Sequence, residues 1–181
     1  AWMKSHFGLE EIFRHEGFAE FTWIDADQIV VAQCVRFKCT FGCPSYGKVA
    51  SCPPNVPDVA ECREFFSDYR TAVLFRIHEQ LDDSDSRGQW SAKVNSRLLE
   101  VERQVFLAGY HKAFLTFMDE CQLCPDCPGE RTACLRPRDS RPGPEALAVD
   151  VFATARSAGY PIEVLTDPLQ AMNRYSILLI E

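Results

Sequence analysis

Four cysteines fall within residues 121–134, and the first three are separated by gaps of two residues. Thiolates at this spacing can each bind a different iron of one cubane, and a more distant cysteine then completes the cluster, as in proteins of the bacterial ferredoxin type. Zinc is more often held by two separated Cys-x-x-Cys pairs that converge on one ion. The spacing therefore favours an iron–sulfur cluster over zinc for this four-cysteine set, which consists of Cys121, Cys124, Cys127 and Cys134.

A looser three-cysteine set, Cys39, Cys43 and Cys52, lies in the segment 38–57, which is rich in Gly and Pro. These residues let a backbone bend tightly around an inorganic core. Cys52 precedes a proline, like the last cysteine of a ferredoxin run. We expect a second metal site here, with a zinc-stapled loop or three free thiols as alternatives. Tyr46, inside the segment, is a candidate cofactor contact or, alternatively, a packed tyrosine.

The fourth ligand of the three-cysteine set is an open question. Cys34 lies at the end of a predicted strand, Cys62 lies in a predicted helix, and Cys134 belongs to the other set. Any of them, or a ligand that is not cysteine, would complete a cluster. If none does, one iron is open and can bind substrate, which would separate an enzyme from an electron carrier.

Arginines crowd around the four-cysteine set, and we take Arg131, Arg136 and Arg141 as candidate cofactor-binding residues. Thiolate-ligated clusters are anionic, so nearby cations would stabilise the reduced form. The alternative is ordinary solvated charge on a loop, which contributes little.

The elements that must position these residues alternate between helical and strand patterns. Apolar spacing, prolines and glycines predict helices at residues 5–18, 57–70, 90–109 and 144–159. Apolar runs predict strands at residues 18–25, 27–37, 71–77, 113–118, 160–167 and 174–181, with the first two forming a hairpin.

The order strand–long helix–strand predicts a right-handed crossover between parallel strands. We therefore expect one α/β domain over residues 1–181, with a mixed sheet and two cysteine-rich loops at strand ends, where α/β proteins usually bind ligands. In each half a strand runs into a cysteine loop, a proline opens a helix, and a strand follows. This similar order of elements in the two halves indicates either an internal duplication or the common repeating unit of α/β folds.

Composition narrows the class of protein. The chain has 181 residues, of which 46% are hydrophobic and 25% charged, as in folded proteins of ordinary composition. A net charge of -7 argues against a nucleic-acid partner. No apolar run is long enough for a bilayer and no secretory signal is evident, so we expect a cytoplasmic protein. The nine cysteines are then expected to be reduced, which favours metal binding over disulfides.

The cysteine segments resemble a family of small prokaryotic proteins of unknown function that are described as predicted metal-binding. The similarity covers residues 38–54 and 121–137 and continues into 141–151, where the family usually reads Arg-Pro-Ser-Met-Glu-Ala-x-Gly-Ile-Asp-Val. This chain departs from that pattern at Gly143, Pro144, Ala148 and Val149. The resemblance implies metal binding, with recurring cysteines at Cys39, Cys43, Cys52, Cys121, Cys124, Cys127 and Cys134.

Together these observations predict an iron–sulfur protein with one or two [4Fe–4S] clusters that passes electrons to a redox partner protein. One alternative is an enzyme that uses a cluster with an open iron. Another is a zinc-stapled interaction module without a redox role. A homo-oligomer is compatible with each, and no motif names a substrate.

Overall fold

A computed structural model describes residues 6–181. Its helices are α1 (His6–His15), α2 (Gln33–Gly42), α3 (Val59–Ser67), α4 (Arg87–Leu107) and α5 (Val151–Ser157). Its strands are β1 (Phe21–Asp25), β2 (Thr71–Glu79), β3 (Phe114–Leu115) and β4 (Met172–Leu179). The helix predicted at residues 5–18 is therefore present as α1, and Ser5 lies outside the described residues.

The four strands form one sheet in the order β1-β2-β4-β3, and every pairing in it is antiparallel. The α/β class is confirmed, but the prediction of a mixed sheet is wrong for the residues described. The strands on either side of α4, β2 and β3, run in the same direction because both are antiparallel to β4. They do not pair, because the C-terminal strand β4 lies between them.

Helices cover both faces of this sheet. Along β2, Val73 and Phe75 pack in one hydrophobic cluster with residues of α1 and α4. Ala72 and Leu74 alternate with them and pack in a second cluster with residues of α3 and α5. Burial on both faces explains the near-continuous apolar run of β2, which is otherwise typical of parallel sheets. Within residues 6–181, no helix has the length and hydrophobicity needed to cross a bilayer.

The two halves of the chain follow a similar order. α1 and β1 precede the three-cysteine set, which leads to α3 and β2; α4 and β3 precede the four-cysteine set, which leads to α5 and β4. In each half the two strands pair with each other, and β2 and β4 join the halves at the centre of the sheet. This arrangement is what a duplication would produce, and duplication stays a prediction.

The hairpin predicted at residues 18–37 is wrong. After β1 the chain makes a short 3-10 turn at Ala26–Gln28, and α2 begins at Gln33. The apolar residues between them pair with the second half of the chain instead, because Val31 forms an isolated bridge with Val149. Cys34 consequently lies in a helix, not at the end of a strand.

Three other predicted elements differ in extent. The strand at 160–167 is absent, because this segment runs along the surface, where Val164 is 74% exposed. The strand at 113–118 is reduced to β3. The helix at 144–159 is divided into a 3-10 turn, Glu145–Leu147, and α5.

The division occurs at Ala148, which is fully buried and has a left-handed backbone with φ 61. Left-handed backbone costs an L-residue roughly 1–2 kcal/mol, and the family resemblance has Gly at this position. We expect Ala148→Gly to keep or raise the melting temperature. Glycine destabilises the folded state by roughly 0.5–1 kcal/mol, because it gives the unfolded chain more conformational entropy, and relief of the backbone strain offsets this cost. Ala146→Gly, two residues earlier, is the control and should lower the melting temperature. Equal losses in thermal melts of both variants would contradict this account.

Candidate metal centre

The four-cysteine set surrounds one small cavity. Cys121, Cys124, Cys127 and Cys134 all line it, and the enclosed space is about 20 Å³, roughly enough for one water molecule. Arg136 also lines this cavity and donates to the carboxylate of Asp139 at 2.9 and 3.1 Å. The structure therefore gathers the four thiols that lie close together in sequence around a common space.

The three-cysteine set lines a larger cavity of about 230 Å³. Cys39, Cys43 and Cys52 share its wall with Tyr46 and with three carboxylate side chains. Those carboxylates belong to Asp119, Glu120 and Glu145. This cavity thus combines thiol and carboxylate donors, whereas the four-cysteine cavity has only thiols and a cation among its ionisable groups.

The two cavities lie beside each other because the loops that form them are in direct contact. The backbone N–H of Ala50 donates to the Sγ of Cys127 at 3.3 Å, and the side-chain amide of Asn55 donates to the carbonyl of Gly129 at 2.7 Å. Gly129 has a φ of +80, and a Cβ there would lie 3.2 Å from the carbonyl oxygen of Gly47. A glycine is required at this close approach.

Helix α2 positions the first two thiols of the three-cysteine set. Cys39 lies in its last turn, and Cys43 follows its end, where its N–H bonds back to the carbonyl of Cys39 at 3.4 Å. The guanidinium of Arg36 fixes the helix by donating to the carbonyls of Pro57 and Ala146 at 3.0 and 2.9 Å. These contacts join α2 to the segments that carry Cys52 and Glu145.

The end of β3 positions the start of the four-cysteine set. Asn95 of α4 accepts from the N–H of Met118 and donates to the carbonyl of Glu120, each at 3.3 Å. Arg87 and Ser91, also of α4, donate to the carboxylate of Asp119. Helix α4 therefore directs the chain from the sheet into both cavities.

Burial disfavours the thiolate form of three of these cysteines. Burial raises the pKa of Cys52 to about 12, and the neighbouring charge of Glu120 acts in the same direction. Burial is also the first cause that raises the pKa of Cys39 and of Cys121. A bound cation would remove this penalty, because metal ligation deprotonates thiols.

Glu145 is an exposed residue of the three-cysteine cavity, and many protein atoms surround its carboxyl. Burial raises the pKa of its carboxyl, and Asp119 has a smaller effect in the same direction. A hydrogen bond from the backbone N–H of Glu145 itself, followed by the charges of Arg174 and Arg87, lowers it. For Arg174, burial lowers the pKa, and its buried Nε has no hydrogen-bond partner within residues 6–181. Partly compensated charges thus lie around the three-cysteine cavity.

The other candidate ligands lie elsewhere. Cys34 is exposed on α2, and Cys62 is buried in α3, where its thiol donates to the carbonyl of Pro57 at 3.6 Å. Neither lines the two cavities. Cys134 lines the four-cysteine cavity, so the structure does not place it as a crossover ligand of the three-cysteine set.

Two of the arginines predicted to bind the cofactor are engaged with protein groups. Arg131 donates to the hydroxyl of Ser140 and to the carbonyl of Pro137. Arg141 forms an ion pair with Glu102 of α4 at 2.6 Å. Neither lines the four-cysteine cavity, so both are placed to hold the loop in shape.

Sequence reasoning missed the carboxylates of the three-cysteine cavity. Asp119 and Glu120 directly precede Cys121, and that adjacency was the available signal, but it pointed to the other set. Glu145 lies at the start of the helix predicted at residues 144–159, where an acidic residue ordinarily stabilises the helix N-terminus. It begins only a 3-10 turn instead, and it lines the cavity.

The donor atoms fit a metal cofactor in chemistry, although they are not assembled for a lone ion. Among the described residues, no group of three or more His, Cys, Asp or Glu side chains is arranged to hold one metal ion. Thiolates are soft ligands suited to iron–sulfur clusters and zinc. Ligands of one zinc converge to about 2.0–2.3 Å from a single point, whereas cubane thiolates bind separate irons and lie farther apart.

Seven thiols line two adjacent cavities in this fold. This set of donor atoms is typical of cysteine-rich metal-binding proteins. The chain belongs to the family described as predicted metal-binding protein (DUF2284), whose family model matches residues 22–180. Searches of curated proteins and of solved structures gave no match. The predicted family resemblance is thereby confirmed.

The raised pKa of Cys52 gives a prediction for the metal-free protein. Iodoacetamide attacks thiolates, so we expect Cys52 to react far more slowly than the exposed Cys34 at neutral pH. Its rate should rise about tenfold per pH unit toward pH 12. The folded protein binds the Cys52 proton more tightly than the unfolded chain does, and this difference contributes to the free energy of unfolding. The contribution is fully present below the ordinary pKa of 9.0 and is lost as the pH rises toward 12. Mass spectrometry measures the labelling of each cysteine, and equal rates for Cys34 and Cys52 would contradict the raised pKa of Cys52.

Proposed function

We propose that the chain binds two iron–sulfur clusters, one at each cysteine set, and transfers electrons between redox partner proteins. The observation that carries this proposal is the division of seven thiols between two adjacent cavities. The clusters would supply one-electron chemistry, and the chain would supply ligation, charge and shielding. In the four-cysteine site the ligands would be Cys121, Cys124, Cys127 and Cys134.

The close contact between the loops supports electron transfer. An N–H that donates to a ligand sulfur, as Ala50 does to Cys127, is among the groups that set a cluster's reduction potential. Cys127 is exposed, and Leu135 beside the same cavity is 70% exposed. These residues offer a partner protein access to the edge of the four-cysteine site.

A structural zinc at the four-cysteine set is the second candidate. The enclosed space of about 20 Å³ favours a lone ion, since a cluster would require the thiols to spread outward. The run of three thiols separated by gaps of two residues favours the cluster. Exposure of Cys127 leaves that side chain free to move toward solvent, so we prefer the iron–sulfur assignment.

Optical spectroscopy under anaerobic conditions tests the proposal. Protein purified without oxygen should be brown and should lose broad visible absorption when dithionite is added. The Cys34→Ser variant is a matched control, because its thiol lies outside both cavities, and it should give the same spectrum. Colourless protein that carries stoichiometric zinc would overturn the iron–sulfur assignment and support the zinc alternative.

A further inference from the structure

The three-cysteine site lacks a fourth thiol, and its cavity contains a carboxylate that is available in its place. The carboxylate of Asp119 already has protein partners, because its Oδ2 accepts hydrogen bonds from Arg87 at 2.9 Å and from Ser91 at 3.3 Å. Glu120 accepts from the side-chain amide of Gln122 at 2.6 Å. The carboxylate of Glu145 accepts from the backbone N–H of its own residue. Within residues 6–181, it accepts no hydrogen bond from another residue and forms no ion pair within 4.0 Å.

Glu145 is also held at the right place. Its own carbonyl oxygen lies 3.9 Å from the Sγ of Cys39. The next residue, Ala146, accepts from Arg36 of the helix that carries Cys39. On the other side, Gly143 packs so closely that a Cβ would lie 3.1 Å from the carbonyl oxygen of Asp119. These contacts fix the backbone of Glu145 relative to the thiols.

Glu145 lines both the cavity and an open surface groove. The groove has a volume of about 690 Å³ and is lined by Val35, Phe37 and Phe41 of α2 together with Cys39, Cys43 and Glu145. A small molecule that enters from the groove would therefore meet Glu145 and these two thiols first.

We propose that the carboxylate of Glu145 is the fourth ligand of the cluster held by Cys39, Cys43 and Cys52. This inference rests on the proposed function. A carboxylate is a harder ligand than a thiolate and suits iron–sulfur iron less well. An iron bound to Glu145 would consequently be the exchangeable one of the cluster, and Glu145 also lines the largely apolar groove. The molecule that would replace the carboxylate carries a donor atom next to an apolar portion.

The test compares full-length Glu145→Gln, Glu145→Cys and Glu120→Gln proteins, reconstituted anaerobically with iron and sulfide. After brief oxidation, Glu145→Gln should lose one iron from the cluster roughly tenfold faster than the unmodified chain, since even indirect metal partners affect affinity by about 10–100-fold. It should then show the EPR signal of a three-iron cluster. Glu145→Cys should keep its iron and have a lower reduction potential, because a thiolate replaces a weaker donor. Glu120→Gln tests the competing carboxylate of the same cavity, and it should keep the fourth iron under the same oxidation if Glu145 is the ligand.

Iron loss from Glu120→Gln but not from Glu145→Gln would assign the ligand to Glu120 and overturn the inference. Equal iron retention by all the proteins would also overturn it. Failure of the proposed function looks different, because the unmodified chain would then take up no iron and sulfide at the three-cysteine site. Thermal melts of the metal-free variants establish that each is folded, and Glu145→Gln preserves side-chain shape.

Discussion

The Cys121→Ser variant is expected to contain about half the iron and sulfide of the unmodified chain. Cys121 lines the four-cysteine cavity and follows directly on the segment that α4 fixes at the end of β3. Replacing a thiolate ligand by a hydroxyl removes a soft donor, and a cluster with three remaining thiolates in this small, tight loop should be lost. Because metal binding contributes to folding free energy, the variant should also melt at a lower temperature.

Cys62→Ser is the matched control for this variant. Cys62 is 1% exposed, lies outside both cavities and donates to the carbonyl of Pro57, a contact that serine can repeat. Iron and sulfide should remain unchanged in this protein. A full metal content in Cys121→Ser, or a lost cluster in Cys62→Ser, would show that the two cavities do not define the ligands.

The largest stability effect outside the cysteines is expected at Glu102. Its side chain is 8% exposed and that of Arg141 is 20% exposed. The guanidinium donates to both carboxylate oxygens, and the N–H of Leu115 in β3 donates to the same carboxylate at 2.8 Å. This ion pair joins the end of the four-cysteine loop to α4 and the edge of the sheet.

Glu102→Ala leaves the N–H of Leu115 without an acceptor and the largely buried guanidinium of Arg141 without a counter-ion. Arg141 then keeps only its bonds to the carbonyls of Arg138 and Ser140. Breaking a buried pair in this way costs about 3–5 kcal/mol, so the melting temperature should fall by roughly 10 °C in a chain of this length. Glu100→Ala on the same helix removes an exposed contact with Arg103 at 3.8 Å and a hydrogen bond from Gln104, and it should cost about 1 kcal/mol. Similar thermal melts for the two variants would contradict the structural role of the Glu102–Arg141 pair.

The sequence predicted some parts of the fold well and others poorly, for physical reasons. The helical period that predicts α4 and the apolar run that predicts β2 report burial, and both elements are present. An apolar pattern shows that a strand is buried but not which strand pairs with it, so the position of β4 between β2 and β3 was not predictable. The β-branched residues before α2 were taken for a hairpin strand because their bridging partner, Val149, is remote in sequence.

Some features of the candidate site were likewise predictable from the sequence, and others were not. Cysteine spacing within a loop identified two sets of thiols, and the structure places each set around its own cavity, while their role as ligands stays a prediction. Spacing could not show that Glu145 faces Cys39, because the turn that carries it begins more than a hundred residues later in the chain. The arginines near the cysteines in sequence were predicted as cofactor contacts; Arg141 pairs with Glu102 of α4, and a role toward a cofactor stays a prediction.

Metal analysis of anaerobically purified protein is the most direct test of the central proposal. Iron, acid-labile sulfide and zinc should be counted per chain in the same sample. Two iron–sulfur clusters predict about four irons and four sulfides at each site when both are complete, with little zinc. Stoichiometric zinc with neither iron nor sulfide would contradict the proposal.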